Sequence, residues 1–266
     1  MIRSPHRMTT TVYLVGAGPG APDLLTLRAA RLLEAADIVF YDALVHPETV
    51  ALASRAVRIP VGKRHGRPST PQAAINRALI RAASRHRTIV RLKGGDPMIF
   101  GRAQEEIDAL HAAGIRCEVV PGVTAALAAG AEIGVSLTRR AVSRSVTFVT
   151  PSVGDREART DWASAVVAAD TAAIYMGAGE AERVAAALLA RGMAPATPVV
   201  MVENVSHPDR AAQWGTLAGL PRLGARWSHA PAIILIGQVL QETLDEFRRL
   251  PAAAPAPLQA GRLVPV

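Results

Sequence analysis

The chain has 266 residues, half of them apolar, with 30 Lys and Arg against 22 Asp and Glu for a formal charge of +8. That length allows one large domain or two ordinary ones around a substantial core, and a single cysteine, Cys117, excludes an internal disulfide and any multi-cysteine metal site. No apolar run reaches the roughly 18 residues of a membrane span, and no apolar stretch follows the charged start, so a soluble cytoplasmic protein without a secretory signal is expected. The basic balance invites a polyanionic partner. Nucleic acid and a multiply carboxylated small molecule are both candidates; dispersed arginines and only 4% aromatic residues argue against the first, and net charge alone does not establish the second.

In chain order, Val12-Tyr13-Leu14-Val15 reads as a buried strand running into Gly16-Ala17-Gly18-Pro19-Gly20-Ala21-Pro22-Asp23. Residues 24–36 have helical spacing of Leu24, Leu27, Leu32 and Leu33, with Asp23 as the expected N-cap. The loop fits the letter of a dinucleotide fingerprint, with Asp37 and Asp42 near the acidic position. Pro19 and Pro22 remove backbone donors that a pyrophosphate would need, so a nicotinamide-dependent oxidoreductase is the weaker alternative. Ile38-Val39-Phe40-Tyr41 forms a second strand ending on Asp42, and residues 57–61 a third, running into Gly62-Lys63-Arg64. Taken singly, Asp42 is as well read as a cap and Lys63 as a solvated loop charge. Residues 71–85 follow as a helix capped by Thr70.

Thr88-Ile89-Val90 then leads into Arg91-Leu92-Lys93-Gly94-Gly95-Asp96-Pro97-Met98-Ile99-Phe100-Gly101-Arg102, read as a loop before a helix over 103–113. Gly-Gly-Asp-Pro after a strand brings backbone close to a ligand, and ligands of α/β proteins collect at carboxyl ends of strands. Cys117-Glu118-Val119-Val120 is another strand, ending in Pro121-Gly122-Val123-Thr124-Ala125-Ala126 and a small-residue helix to about Ile133. Several strands thus end in Gly/Pro turns. The expectation is α/β, with one domain over 11–137 and a second over 142–249. In the second, strands are read at 146–150, 171–177, 198–204, 211–217 and 232–237, with 211–217 as an antiparallel partner. The tails, 1–10 and 250–266, read as disordered.

These segments, together with Leu137-Thr138-Arg139-Arg140, Tyr175-Met176-Gly177 and Val202-Glu203-Asn204, resemble the tetrapyrrole C-methyltransferases that use S-adenosylmethionine. Gly62-Lys63-Arg64, Lys93-Gly94-Gly95-Asp96-Pro97 and Phe100-Gly101-Arg102 are most similar to the branch acting on uroporphyrinogen III. The resemblance implies two α/β domains with the methyl donor in a cleft between them, usually as a homodimer. It implies S-adenosylmethionine contacts at Pro19, Gly94, Gly95, Asp96, Ile99, Thr124, Ala125, Met176 and Val205. It further implies a proton acceptor at Asp42, a proton donor at Lys63, a catalytic position at Arg102 and substrate-side positions at Glu105 and Arg140. No metal is implied, because the sulfonium is already activated. The expected reaction converts uroporphyrinogen III to precorrin-2 by way of precorrin-1, on a route to sirohaem, cobalamin or haem d1, with a later precorrin methyltransferase as the rival. Three departures stand out: Ala103-Gln104 replace two glycines, Val205 stands at a glycine position, and Pro151-Ser152 replace a histidine segment.

Overall fold

The structure is a computed structural model that describes residues 10–62, 70–152 and 160–249. Backbone contacts divide the chain into two compact units, with the division after Thr124.

The first unit holds five strands: β1 (Thr11–Gly16), β2 (Ile38–Tyr41), β3 (Val57–Pro60), β4 (Thr88–Lys93) and β5 (Arg116–Val120). All pair in parallel, in the order β3-β2-β4-β1-β5. Central strands of a parallel sheet are covered on both faces and read as nearly unbroken apolar runs; Val12, Leu14, Val15, Val39, Ile89, Val90 and Leu92 have no exposed surface. Side chains of alternate residues leave to opposite faces. On one face Val15, Val39, Val90 and Leu92 pack with Ala29 and Leu33 of α1 (Leu27–Ala35) and Val50 of α2 (Pro47–Ala51). On the other, Val12, Leu14, Phe40 and Ile89 pack with Ile75 and Leu79 of α3 (Gln72–Ala83) and Leu110 of α4 (Ala103–Ala112). The connections from β1 and β2 run toward the β3 edge, and those from β3 and β4 run toward β5. Neighbouring strands β1 and β4 therefore send their following loops in opposite directions, the topological switch at which α/β sheets take ligands.

Three local expectations change. Leu25 is extended, so a 3-10 turn (Pro22–Leu24) precedes α1, and Thr26 rather than Asp23 caps it, its hydroxyl accepting from Ala29 N at 3.2 Å. Pro71 rather than Thr70 stands at the start of α3, and the short helix α2 is an addition to the elements expected from the sequence. Most important, β4 continues through Lys93, so Arg91 and Lys93 are strand residues, 2% and 3% exposed, not loop residues.

The second unit contains α5 (Ala125–Glu132), β6 (Val146–Val149), α6 (Trp162–Ala168), β7 (Thr171–Tyr175), α7 (Ala181–Leu189), β8 (Pro198–Glu203), β9 (Ala211–Thr216), α8 (Leu220–Ala225), β10 (Ala232–Gly237) and α9 (Gln241–Arg249). Its sheet is mixed, in the order β6-β7-β10-β8-β9. β6 is parallel to β7, β10 is antiparallel to β7 and β8, and β9 pairs antiparallel with β8 as its sequence suggests. Ile174, Val199, Met201 and Ile234 pack against Val184 and Leu188 of α7 and Leu217 and Leu220 near α8. The sequence places α5 in the first domain. The contacts group it with the second unit, where it touches β10 and where Tyr175 Oη accepts from Ala126 N at 3.2 Å. No helix among the described residues is long and apolar enough to cross a membrane.

Candidate functional site

In the first unit the loops after β1, β4 and β5 are stitched together at the carboxyl edge. Gly95 N donates to Gly18 O at 2.7 Å, Gly18 N donates to Gly95 O at 3.2 Å, and Ala17 N donates to Lys93 O at 2.7 Å. The Asp96 carboxylate accepts from Met98 N at 2.8 Å with one oxygen and from Gly122 N at 2.9 Å with the other. It therefore turns its own loop and ties it to the loop after β5. Close approach explains the glycines: a Cβ on Gly16 would lie 2.6 Å from Gly122 Cα and 2.8 Å from Gly95 O. Above Gly94 and Gly95 there is room. A Cβ on Gly95 would meet nothing nearer than Thr124 Cα at 4.0 Å, and one on Gly94 only Leu44 Cβ at 3.3 Å. The result is a rigid floor with accessible main chain over it, suited to a ligand that reads backbone.

Pro19, Gly94, Gly95, Asp96 and buried Thr124 are brought together by this stitching. Asp42 sits just past β2, its N–H donating to Leu92 O at 3.2 Å, and the Leu44 contact places its loop against Gly94. Lys63 lies outside the described residues. Arg102 and Glu105 are exposed and joined as a fork, Nε to Oε1 at 2.7 Å and Nη2 to Oε2 at 2.8 Å. Ile99 is half-buried, while Leu44, Met98 and Phe100 form an exposed apolar fringe of the same loops.

In the second unit the Tyr175–Ala126 hydrogen bond brings Ala125 and Met176 near one another. Val205 is buried in the turn after β8, which Asn204 braces by donating to Asp209 Oδ2 at 2.8 Å and, through its N–H, to Pro231 O at 2.8 Å. The ion pair of Arg210 with Glu132 fastens that turn to the end of α5. Buried Glu203 accepts from Gln213 Nε2 at 2.7 Å and from the Ser228 N–H and hydroxyl. Arg140 is exposed in the turn before β6.

Backbone strain marks these positions. Among the described residues seven non-glycine residues have positive φ, and six of them (Phe100, Arg102, Ala141, Met176, Asn204, Ser206) are at or beside a residue singled out from the sequence. Each such torsion costs on the order of 1–3 kcal/mol and persists where the surroundings impose it.

The sequence reading missed three functional neighbours: Arg91, Lys93 and Glu106 as a buried charged cluster. Glu106, fully buried on α4, accepts from Arg91 Nε at 3.0 Å, Lys93 Nζ at 3.2 Å and Gln72 Nε2 at 2.9 Å. Arg91 Nη2 reaches Asp42 Oδ1 at 2.6 Å. Burial, with the Arg91 charge beside it, holds the Lys93 ammonium below the usual lysine value, and Glu106 and Asp42 oppose that. The signal was present: Glu106 interrupts the helical stripe of Ala103, Ile107 and Leu110, and a charge on an apolar stripe needs a buried partner.

Residues 11–221 match the family model for tetrapyrrole (corrin/porphyrin) methylases. The chain is 44% identical over 238 residues to a siroheme synthase of Pseudomonas paraeruginosa, covering 89% of this chain and 51% of that protein. It spans about half the length of the curated relatives it matches. Among solved structures, uroporphyrin-III C-methyl transferase from Thermus thermophilus, complexed with S-adenyl homocysteine, superposes with a TM-score of 0.77 at 38% identity, covering 87% of this chain and 99% of that one. A cobalt precorrin-4 methyltransferase superposes with a TM-score of 0.76 at 27% identity, covering 86% and 95%. With the stitched loops, the strand order and a family match running from β1 into α8, the chain belongs to the tetrapyrrole (corrin/porphyrin) methylases.

Proposed function

We propose that this chain transfers methyl groups from S-adenosylmethionine to uroporphyrinogen III, giving precorrin-2 through precorrin-1. The observation that carries the reading is the glycine-lined floor at the ends of β1, β4 and β5, whose open main chain at Gly94 and Gly95 suits a ligand read by backbone. The match over 87% of this chain to a methyltransferase solved with S-adenyl homocysteine supports it.

S-adenosylmethionine supplies a methyl group already activated on a sulfonium. The protein's tasks are alignment, exclusion of water and removal of a proton. Gly94, Gly95 and Thr124 hold the donor, and Asp96 fixes the two loops that carry them. Pro19 and Ile99 border the same loops, and Ala125, Met176 and Val205 keep the donor-contact roles that their matching positions imply. Leu44, Met98 and Phe100 offer an apolar fringe to the macrocycle, while Arg102, oriented by its fork onto Glu105, and Arg140 answer its carboxylates. After a pyrrole carbon takes the methyl group it is quaternary and the macrocycle sheds its one excess proton from another position; Asp42 accepts that proton, and Lys63 takes the proton-donor position that the resemblance implies. The protein acts as a cytoplasmic homodimer, and its likeness to a siroheme synthase favours sirohaem as the product's destination.

Incubation with uroporphyrinogen III and S-adenosylmethionine is expected to yield the precorrin-2 chromophore. Methylation of a later precorrin instead would favour the rival reading, which the cobalt precorrin-4 methyltransferase likeness keeps in play. Asp42→Asn should slow turnover by about 100-fold or more, as loss of a general base does; wild-type turnover in that variant would return Asp42 to a structural role.

A further inference from the structure

The basic composition invites assigning every cation near the site to substrate carboxylates. Arg91 and Lys93 do not fit that role. Both lie on β4 beneath the floor of the site, and their side chains are 3% and 4% exposed. Each of their donor nitrogens already bonds to a protein oxygen. Arg91 gives Nε to Glu106, Nη1 to Leu92 O at 3.1 Å and Nη2 to Asp42, and Lys93 gives Nζ to both Glu106 oxygens. Glu106 itself is fully buried, and Gln72 from α3 supplies its remaining donor. Two cations and two carboxylates thus balance, and only Asp42 of the four reaches solvent, with its side chain 29% exposed.

The geometry points to Glu106 as a positioning residue for methyl transfer: from the core it fixes the Arg91 guanidinium so that Nη2 holds the Asp42 carboxylate at the sheet edge, and Lys93 serves as counter-ion. This rests on the base role proposed for Asp42. A planar guanidinium held at Nε by a buried carboxylate has its far edge aimed in one direction, and that direction is Asp42. Lys93 is needed because Glu106 faces Arg91 and would otherwise carry charge that Arg91 shares with Asp42. The Lys93 ammonium depends in turn on Glu106 and Asp42, which counter the effect of burial. The Arg91 fork therefore makes Asp42 the exposed tip of a buried, charge-balanced chain.

The test uses the full chain. Glu106→Gln is expected to lower kcat by about ten-fold or more while the Kd for S-adenosylhomocysteine stays within about two-fold, because the lost contact acts at the acceptor side. Glu106→Gln combined with Lys93→Met removes one charge of each sign. It should recover most of the lost kcat, since a buried ion pair removed whole is tolerated where a broken one is not. If Glu106→Gln does not fold, Gln72→Met takes one donor from Glu106 at a half-buried position and should lower kcat by about three-fold with unchanged Kd. Wild-type kcat in Glu106→Gln, equal losses of kcat and ligand affinity, or a double variant no better than the single one would overturn the inference. A wild-type protein that binds S-adenosylhomocysteine but methylates no tetrapyrrole would overturn the proposed function instead. Crystal structures then decide the inference, with Asp42 displaced in Glu106→Gln and restored in the double variant if it holds.

Discussion

Arg102 begins α4 in the left-handed region, φ 55°, and its guanidinium lies forked on Glu105 three residues along. An exposed pair of this kind contributes little to stability, so its removal should be read in activity. Arg102→Ala is expected to abolish most turnover while S-adenosylhomocysteine affinity, measured by calorimetry, remains within about two-fold; equal loss of both would move Arg102 to the donor side. Met176 tests the strain itself, with φ 55° and more than half its surface exposed. Met176→Gly should raise stability to urea by up to about 1 kcal/mol, because the left-handed penalty disappears and little burial is lost. The same change should weaken S-adenosylhomocysteine binding, and unchanged affinity would take Met176 out of the donor site. Val205, which the resemblance sets at a glycine position, is not among the left-handed residues; Asn204 and Ser206 on either side are. The turn therefore places its strain on residues other than the substituted one, which is why a β-branched side chain is accommodated.

At the scale of elements, the site depends on how tightly three loops meet. Gly16 and Gly122 face each other across β1 and β5, and a Cβ on Gly122 would collide with Gly95 O and with Gly16 Cα at 2.9 Å. Neither is a flexible side-chain end, so Gly122→Ala should destabilise the fold by about 1–3 kcal/mol in chemical denaturation. S-adenosylhomocysteine affinity should fall with it, because Asp96 would lose its bond to the Gly122 N–H. The sequence made this junction legible through its Gly/Pro turns. It did not reveal that β4 extends to Lys93, because two cations within a strand read as loop until a buried carboxylate from α4 is placed beneath them. Nor did it reveal α2 or the delayed start of α1, where Leu25 and Thr26 delay the helix although the leucine spacing continues through them.

Across the whole molecule, the two units share a device at the amino ends of their sheets. Asp37, just before β2, accepts from Thr88 N and Arg87 N, and Asp170, just before β7, accepts from Arg144 N and from the N–H and hydroxyl of Ser145. Each aspartate joins two neighbouring strands where they begin. Backbone hydrogen bonds, from Thr88 to Asp37 and from Arg144 to Asp170, hold both carboxyls below their usual value of 3.8. A depressed folded value means that the contribution is complete above the unfolded value and is lost as pH falls through the folded one. Asp170→Asn should therefore lower Tm at neutral pH, with the gap to wild type closing as pH drops below 3.8; a constant gap would show that charge plays no part. What the sequence alone determined is the α/β class, the strands, the Gly/Pro turns at their ends and, through the resemblance, the family. Periodicity and turn chemistry are local, so they survive in one dimension. Only the tertiary structure decided which loops meet, which non-glycine residues take left-handed torsions, and that Arg91 and Lys93 face inward to Glu106 rather than outward to substrate. A charge looks the same in a sequence whether it faces water or a buried carboxylate, and only packing distinguishes the two.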